Sequence, residues 1–251
     1  EVAGDKSLSI RWVLLASQAT GKSKAYNLLM SEDVIAALDS IKKLGVKVNI
    51  NKSYCEIIGN GINSFKYKKN LIINAKNSGT FARLILGLLI RSPQKIKLVG
   101  DKSLSKRDFS RVTMPLKKLG AKFYYKKKNK LPLSIIGSKS VSDIRYRENR
   151  GSAQCKSCIM LAALNSSGTT FIKANKSRNH TELLFKYLKI PTKIKISKKY
   201  DYIKIKRPKK IKAFNYQIPG DISSAAFFIV LTALANNSEL LIKNINVNSS
   251  R

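Results

Sequence analysis

Cysteine, histidine, acidic residues and long apolar runs are all scarce in this sequence, which narrows the classes of protein it can encode. Cys55, Cys155 and Cys158 are too few for a disulfide framework. His180 is the sole histidine, so a zinc site with four ligands is barely possible and we expect no metal. The Cys155/Cys158 pair is interpreted as two small apolar side chains one turn apart on a buried helix face. Because no apolar run approaches the roughly 20 residues of a membrane span and no signal peptide is evident, we expect a soluble, cytoplasmic protein.

The shortage of acidic residues leaves a large positive charge. Fourteen Asp and Glu stand against 49 Lys and Arg, giving a formal net charge of +35. Such a field attracts nucleic acid, anionic membranes or small anionic substrates. The lysines are scattered beside many Asn and Ile, all residues with A/T-rich codons, so a biased genome accounts for most of them. We find no basic stripe with interleaved aromatic residues and expect neither a specific nucleic-acid partner nor a membrane partner.

A helix–turn–strand pattern occurs four times, beginning near Val13, Leu84, Ile159 and Ile229, at intervals of about 70 to 75 residues. An amphipathic helix and two short strands follow each of the first three, so the predicted unit is βαβαββ. We predict a lobe of three units over residues 1–214 and the truncated start of a second lobe over residues 215–251. The fourth unit stops before its second helix, so we expect a part of a longer protein.

Small polar residues precede each of the four apolar helices. Such residues are good helix caps, because their oxygens accept from the free N–H groups of the first turn. Those same N–H groups and the helix dipole also attract anions. If the units pack around a pseudo-symmetry axis, these helix starts face a shared cleft, and the nearby Lys6, Arg11 and Arg107 favour an anion site there. The four starts read GDKS (4–7), NSGT (77–80), GSAQ (151–154) and GDISS (220–224).

Six motifs, in order and at the approximate spacing of that family, resemble the 5-enolpyruvylshikimate-3-phosphate (EPSP) synthase family. They span the whole chain and read GDKSLSIR (4–11), NSGTFAR (77–83), GDKSLSKR (100–107), SAQCKS (152–157), SRNHTE (177–182) and PGDISSAAFF (219–228). The two GDKSLS copies do not match the repeat period, so they are not repeat partners, and the resemblance implies that they are separate loops serving one anionic cleft.

The resemblance implies an α/β enolpyruvyl transferase fold, in which βαβαββ units around a pseudo-threefold axis form lobes that are inside-out α/β barrels. It implies a transferase that moves the enolpyruvyl (carboxyvinyl) group of phosphoenolpyruvate to the 5-hydroxyl of shikimate 3-phosphate and releases phosphate, in chorismate and aromatic amino-acid biosynthesis. The implied partners are these two small molecules, and the resemblance implies no cofactor. The whole enzyme is expected to be a monomer.

The resemblance also implies the site residues. Lys6 would touch both substrates, assist the proton steps and be the catalytic residue. Arg11 would hold the carboxylate of shikimate 3-phosphate with its two-pronged guanidinium group. The implied shikimate 3-phosphate site comprises Lys6, Ser7, Arg11, Ser152, Ala153, Gln154, Ser177 and Arg178. The implied phosphoenolpyruvate site comprises Lys6, Gly79, Arg107 and Gln154.

Three further expectations follow from the resemblance. The missing side chain of Gly79 leaves room for phosphonate inhibitors such as glyphosate. Ile10 replaces a residue that is often polar, and Asp108 replaces a usual proline, which is expected to loosen the loop after Arg107. The acidic general base of the family belongs to units beyond residue 251, so this chain is expected to bind substrates without turning them over.

Other interpretations stay open on the sequence alone. The sister enolpyruvyl transferase that acts on a UDP-sugar shares the fold, but it typically carries Lys-Asn where this chain has Lys6 and Ser7, and it lacks the SRxHTE motif. A basic nucleic-acid-binding protein is supported by the charge alone, and its affinity would fall steeply with salt. An inactive fragment without a role of its own is a third possibility.

Overall fold

A computed structural model of the chain describes residues 1–250 and shows the predicted repeat of helices and strands. The first unit contains α1 (Lys6–Ala16), β1 (Thr20–Tyr26), α2 (Glu32–Lys43), β2 (Lys47–Ile50) and β3 (Tyr54–Asn60). The second contains β4 (Ile72–Asn74), α3 (Gly79–Leu88), β5 (Ile96–Val99), α4 (Lys102–Lys106), α5 (Ser110–Lys118), β6 (Lys122–Tyr125) and β7 (Leu133–Ile136), with a 3-10 turn at Leu89–Arg91. The third contains β8 (Arg145–Glu148), α6 (Ala153–Ala163), β9 (Thr169–Asn175), α7 (His180–Tyr187), β10 (Thr192–Ile196) and β11 (Tyr200–Lys206). Two more elements follow, β12 (Asn215–Gln217) and α8 (Ile222–Leu234).

Three four-stranded sheets share one topology. Their strand orders are β12-β1-β3-β2, β4-β5-β7-β6 and β8-β9-β11-β10, and we call them the first, second and third sheet. In each, the first strand runs parallel to the second and the other neighbours are antiparallel. The βαβαββ repeat is therefore confirmed, because three units repeat one strand order and one set of directions.

The first unit takes its first strand from the far end of the chain. β12 pairs parallel with β1, in the register Ala25 to Tyr216, so the chain returns to the first sheet after completing the third. The predicted division between residues 214 and 215 stays a prediction, although the strand just beyond it completes the first sheet.

The three apolar helices α1, α3 and α6 lie in the interior. Nearly all of their residues are buried, which is the pattern of helices that are apolar on every side. α3 and α6 approach so closely at Gly87 that an added Cβ would lie 2.3 Å from the carbonyl oxygen of Cys158. Cys155 and Cys158 are free and buried in α6, as predicted for two small apolar side chains.

The amphipathic helix α2 shows how the outer helices end. Glu32 and Asp33 occupy its first turn and Lys42 and Lys43 its last, so both pairs complement the helix dipole. Gly45 follows with φ of 85°, a left-handed conformation that glycine adopts without strain at a helix end. The helix therefore stops where its sequence predicts.

The fourth repeat is formed only in part. Helix α8 begins as predicted, but the strand expected after it is not present, and residues 238–243 have no regular structure. A strand needs a neighbour to satisfy its backbone groups, and only an isolated bridge joins Ile245 to Gly220. Phe227 and Leu231 of α8 are 79% and 67% exposed, so no second layer covers this helix within residues 1–250. Across the same residues, no helix has both the length and the apolar character that crossing a membrane requires.

Candidate anion-binding site

The starts of α1 and α8 lie side by side. The backbone N–H of Lys6 donates to Oδ2 of Asp221 at 3.2 Å, and that of Asp5 donates to the carbonyl of Pro219 at 2.8 Å. Asp5 caps α1 by accepting from the N–H of Leu8 at 2.9 Å. Two of the four predicted helix starts are thus both capped and adjacent.

The starts of α3 and α6 meet in the same way. Oε1 of Gln154 accepts from Nη1 of Arg83 at 2.9 Å, and its Nε2 donates to Oγ1 of Thr80 at 3.1 Å. A Cβ added to Gly79 would lie 3.0 Å from Nη1 of both Arg83 and Arg107. The structure therefore brings together Gly79, Arg107 and Gln154, which the family resemblance assigned to phosphoenolpyruvate.

Arg83 completes this group, although it was absent from the predicted site. It is 5% exposed, its Nη2 donates to the carbonyl of Asp108 at 3.2 Å, and its guanidinium group lies 5.0 Å from the ring of Phe109. Burial, followed by repulsion from Arg111 and Arg107, lowers the Arg83 pKa to about 10. The Arg83 guanidinium group is therefore repelled by two neighbouring guanidinium groups. The sequence spacing could have predicted this residue, because Arg83 follows Gly79 by four residues and lies on the same helix face.

The Arg11 side chain of α1 makes hydrogen bonds to α6 and α7 and to its own helix. The side chain is 4% exposed, its Nε donates to Oγ1 of Thr181 at 2.8 Å, and its Nη2 donates to Oγ of Ser157 at 3.1 Å. Nη1 donates to the carbonyl of Ser7 at 2.9 Å. Burial lowers the Arg11 pKa to about 10, against the opposing charges of Glu182 and Asp5. Contact with a substrate carboxylate stays a prediction, and two N–H groups on the terminal nitrogens would have to make it.

The remaining predicted residues lie at the start of α6 and in the loop before α7. Oγ of Ser152 caps α6 by accepting from the N–H of Cys155 at 3.3 Å, and Ala153 is the first residue of the helix. The Ser177 hydroxyl is buried without a hydrogen-bond partner among the described residues, while Arg178 is exposed beside it. An anion at this place would supply the acceptor that the Ser177 hydroxyl lacks.

The family described as EPSP synthase (3-phosphoshikimate 1-carboxyvinyltransferase) matches residues 1–251. This chain belongs to the EPSP synthase family. It is 38% identical over 252 residues to the 3-phosphoshikimate 1-carboxyvinyltransferase of Petrotoga mobilis, covering 99% of this chain and 57% of that protein. The Bacillus subtilis enzyme of the same name is 37% identical over 252 residues, which are 100% of this chain and 58% of that protein. The chain thus spans little more than half the length of these relatives.

A solved structure of the EPSP synthase from Acinetobacter baumannii has the same fold. Its TM-score against this chain is 0.88 at 32% sequence identity, covering 98% of this chain and 55% of that protein. The predicted family and the predicted enolpyruvyl transferase fold are therefore confirmed. The roles of the individual site residues stay predictions.

A buried network of ion pairs contacts the SRNHTE motif. The Lys156 side chain is fully buried, and its Nζ lies 2.6 Å from Oε1 of Glu182 and 3.7 Å from Oδ2 of Asp201. It also donates to the carbonyl of Ser177 at 3.4 Å. Lys176 closes the network at 2.7 Å from Oδ1 of Asp201. Sequence reasoning missed Lys156, although it and Glu182 both belong to motifs that identified the family.

The two departures from the family pattern are accommodated locally. Ile10 is fully buried in α1 and joins the core. Asp108 accepts from the N–H of Ser110 at 2.7 Å and also from the Ser110 hydroxyl, at the start of α5. Its carbonyl accepts from Arg83, so hydrogen bonds hold the loop that we expected to be loose.

Proposed function

We propose that this chain forms the shikimate 3-phosphate side of a 3-phosphoshikimate 1-carboxyvinyltransferase, whose second substrate is phosphoenolpyruvate. The observation that carries the proposal is the convergence of Arg83, Arg107 and Gln154 on the start of α3 at Gly79. Both substrates carry phosphate and carboxylate groups. Because like charges in a partly buried cluster destabilise one another, an anion bound there is strongly favoured.

The proposed reaction is an addition followed by an elimination. A proton adds to the methylene carbon of phosphoenolpyruvate, while the 5-hydroxyl oxygen bonds to the enol carbon and loses its own proton. The tetrahedral adduct then loses phosphate and a methyl proton, which regenerates the double bond. The chain's contribution is to hold two multiply charged anions in contact.

Lys6 is the candidate for assisting the proton steps. Its side chain is 51% exposed, and its Nζ lies 3.6 Å from Oδ2 of Asp33. An exposed ion pair of this length is weak, so the ammonium group is able to turn toward a bound ligand. The adjacent helix start adds N–H groups that favour an anion at the same place.

Ser152, Ser177 and Arg178 are the candidates for the phosphate of shikimate 3-phosphate. Ser152 and Ala153 open α6, where the dipole attracts anions, and Ser177 has a buried hydroxyl that a phosphate oxygen would satisfy. Lys156 supports this loop through the Ser177 carbonyl. We therefore place the phosphate between the α6 start and the loop before α7.

Calorimetric titration with shikimate 3-phosphate tests the proposal. We expect saturable binding that weakens about tenfold or more in Lys6→Ala and in Ser177→Ala, since each removes a hydrogen bond to a charged group. Lys22→Ala is the matched control, because Lys22 is an exposed lysine of β1 on the outer face of the first sheet. Absence of binding, or equal losses in all three variants, would contradict the proposal.

We also propose a cytoplasmic location. The small number of cysteines supports it, because Cys55, Cys155 and Cys158 are buried and form no disulfide, as is typical of proteins from reducing compartments. Recovery of the protein in the cytosolic fraction of its cell tests this location.

A further inference from the structure

The outer face of the third sheet is covered with basic and aromatic side chains. Successive residues of a strand point to opposite faces, and the inner residues here, such as Ile172 and Ile203, are buried in the core. The outer face carries basic residues on all four strands and aromatic residues on the two central strands. Its side chains are Arg145, Arg147, Thr169, Phe171, Lys173, Asn175, Lys193, Lys195, Tyr200, Tyr202, Lys204 and Lys206, with no acid among them.

The rings on this face lie among the cations. Nζ of Lys173 is 4.3 Å from the ring centroid of Tyr200 and 5.4 Å from that of Tyr202. Nζ of Lys204 is 5.2 Å from the ring centroid of Phe171. A shallow cavity of about 290 Å³ opens between the rings of Phe171 and Tyr202 and the neighbouring lysines. The face therefore offers flat apolar rings and positive charge side by side.

Direct pairing places like charges opposite each other. Lys193 faces Lys204 across β10 and β11, and Arg147 faces Lys173 across β8 and β9. Like charges directly opposite in a sheet are destabilising. A bound polyanion would remove this repulsion, whereas water only weakens it.

The other two sheets carry fewer outward cations and fewer outward rings. On the first sheet Lys22, Lys24 and Lys47 share the outer face with Tyr26, Tyr54 and the acid Glu56. On the second sheet Lys97 and Lys122 share it with Tyr124. The third sheet combines seven cations and three rings with no acid, which a genome bias that adds lysine to all three related sheets does not by itself explain.

We propose that the outer face of the third sheet binds single-stranded nucleic acid without sequence preference. Aromatic rings on the central strands of a four-stranded sheet stack bases, and cations on the edge strands contact phosphates. Three outward rings suit two or three bases. A lipid surface fits less well, because the aliphatic residues Ile194 and Ile196 of β10 alternate onto the opposite face. This binding is separate from the proposed enzymatic function.

Fluorescence anisotropy with a labelled oligothymidine of about 20 nucleotides, over a series of salt concentrations around 150 mM, tests the proposal. We expect Tyr200→Leu/Tyr202→Leu to weaken binding about tenfold or more without changing the salt dependence. We expect Lys193→Gln/Lys195→Gln to reduce the slope of log K against log salt by about 0.7 for each phosphate group that these lysines neutralise.

Matched variants on the first sheet show whether binding requires the outer face of the third sheet or only the overall positive charge of the chain. Tyr26→Leu/Tyr54→Leu removes two rings and Lys22→Gln/Lys47→Gln removes two charges there, and both should bind oligothymidine within about twofold of the original chain. Equal losses on the two sheets would overturn the proposal, as would unchanged binding in the third-sheet ring variant. Binding to vesicles rich in phosphatidylserine but not to oligothymidine would also overturn it.

Folding and the enzymatic proposal are checked in the same variants. Circular dichroism melting should show each variant folded, since every substitution lies on an outer face. Shikimate 3-phosphate binding should be unchanged in the third-sheet variants, so failure of one proposal is distinguishable from failure of the other.

Discussion

Basic side chains beneath the SRNHTE motif and on the outer face of the third sheet have opposite surroundings. Lys156 is fully buried and lies between Glu182 and Asp201, whereas Lys193 and Lys195 are exposed and face other cations or rings. The basic residues behind the net charge of +35 therefore fall into two groups with different surroundings. A few cations are fixed by partners at the proposed site for small anions, while many others form a surface without acidic partners.

The largest expected effect comes from breaking the buried network. Lys156→Met leaves Glu182 buried without its ion-pair partner, so we expect the free energy of unfolding to fall by about 3–5 kcal/mol. Lys195→Met, on the exposed face, should change it by less than about 0.5 kcal/mol. Urea unfolding of both variants measures the difference, and equal losses would contradict the contrast.

The second prediction compares Arg83, a buried arginine of the candidate site, with Arg145, an arginine on the outer face of the third sheet. Arg83→Lys keeps the charge but loses the fork that reaches both Gln154 and the Asp108 carbonyl. We expect phosphoenolpyruvate binding to weaken about tenfold or more, because hydrogen bonds to charged groups contribute most when the geometry is fixed. Calorimetry measures the loss, with Arg145→Lys on the third sheet as the matched control. Unchanged binding in Arg83→Lys would place phosphoenolpyruvate elsewhere.

A substitution at Gly79 is expected to have a smaller effect on phosphoenolpyruvate affinity. In Gly79→Ala the added methyl group lies 3.0 Å from Nη1 of Arg83 and Arg107, both of which are ends of flexible side chains. We therefore expect a folded protein whose phosphoenolpyruvate affinity falls by about fivefold, with a larger loss for the phosphonate glyphosate. Isothermal titration with both ligands checks this order. Stronger glyphosate binding in the variant would show that the room beside Gly79 is not used.

The smallest effect concerns the buried thiols. Burial raises the pKa of Cys155 to about 12 and that of Cys55 to about 11, from a reference of 9.0. The neutral thiol stabilises the folded state below pH 9, and this contribution is lost as pH rises toward 12. Iodoacetamide at pH 8 should label the folded chain slowly and the urea-unfolded chain rapidly. Equal labelling rates would show that the thiols are accessible.

The sequence alone predicted the repeat and the helix starts. The capping residues Asp5 and Ser152 both lie where the polar quartets begin the helices, because a cap depends on neighbours within three residues. The family motifs likewise predicted that Gly79, Arg107 and Gln154 lie together, and their side chains meet at the start of α3. Local patterns and ordered motifs were therefore sufficient for the fold and for bringing most candidate site residues together, while the roles of those residues stay predictions.

Features that depend on distant residues were missed. Lys156 looks like one more surface lysine until Glu182 and Asp201 fold over it. The return of β12 to the first sheet depends on a contact across nearly the whole chain. We found no basic stripe with interleaved aromatics in the sequence, because the stripe on the third sheet is assembled from four strands between residues 145 and 206. Strand pairing, not composition, creates it.

The most direct test of the separation of the two cation groups is a titration of this chain with shikimate 3-phosphate, performed with and without saturating oligothymidine at near-physiological salt. We expect saturable binding with the same affinity in both titrations, because we propose that the small anion binds at the helix starts and the polymer on the third sheet. Loss of shikimate 3-phosphate binding in the presence of oligothymidine, or its absence in both titrations, would contradict it.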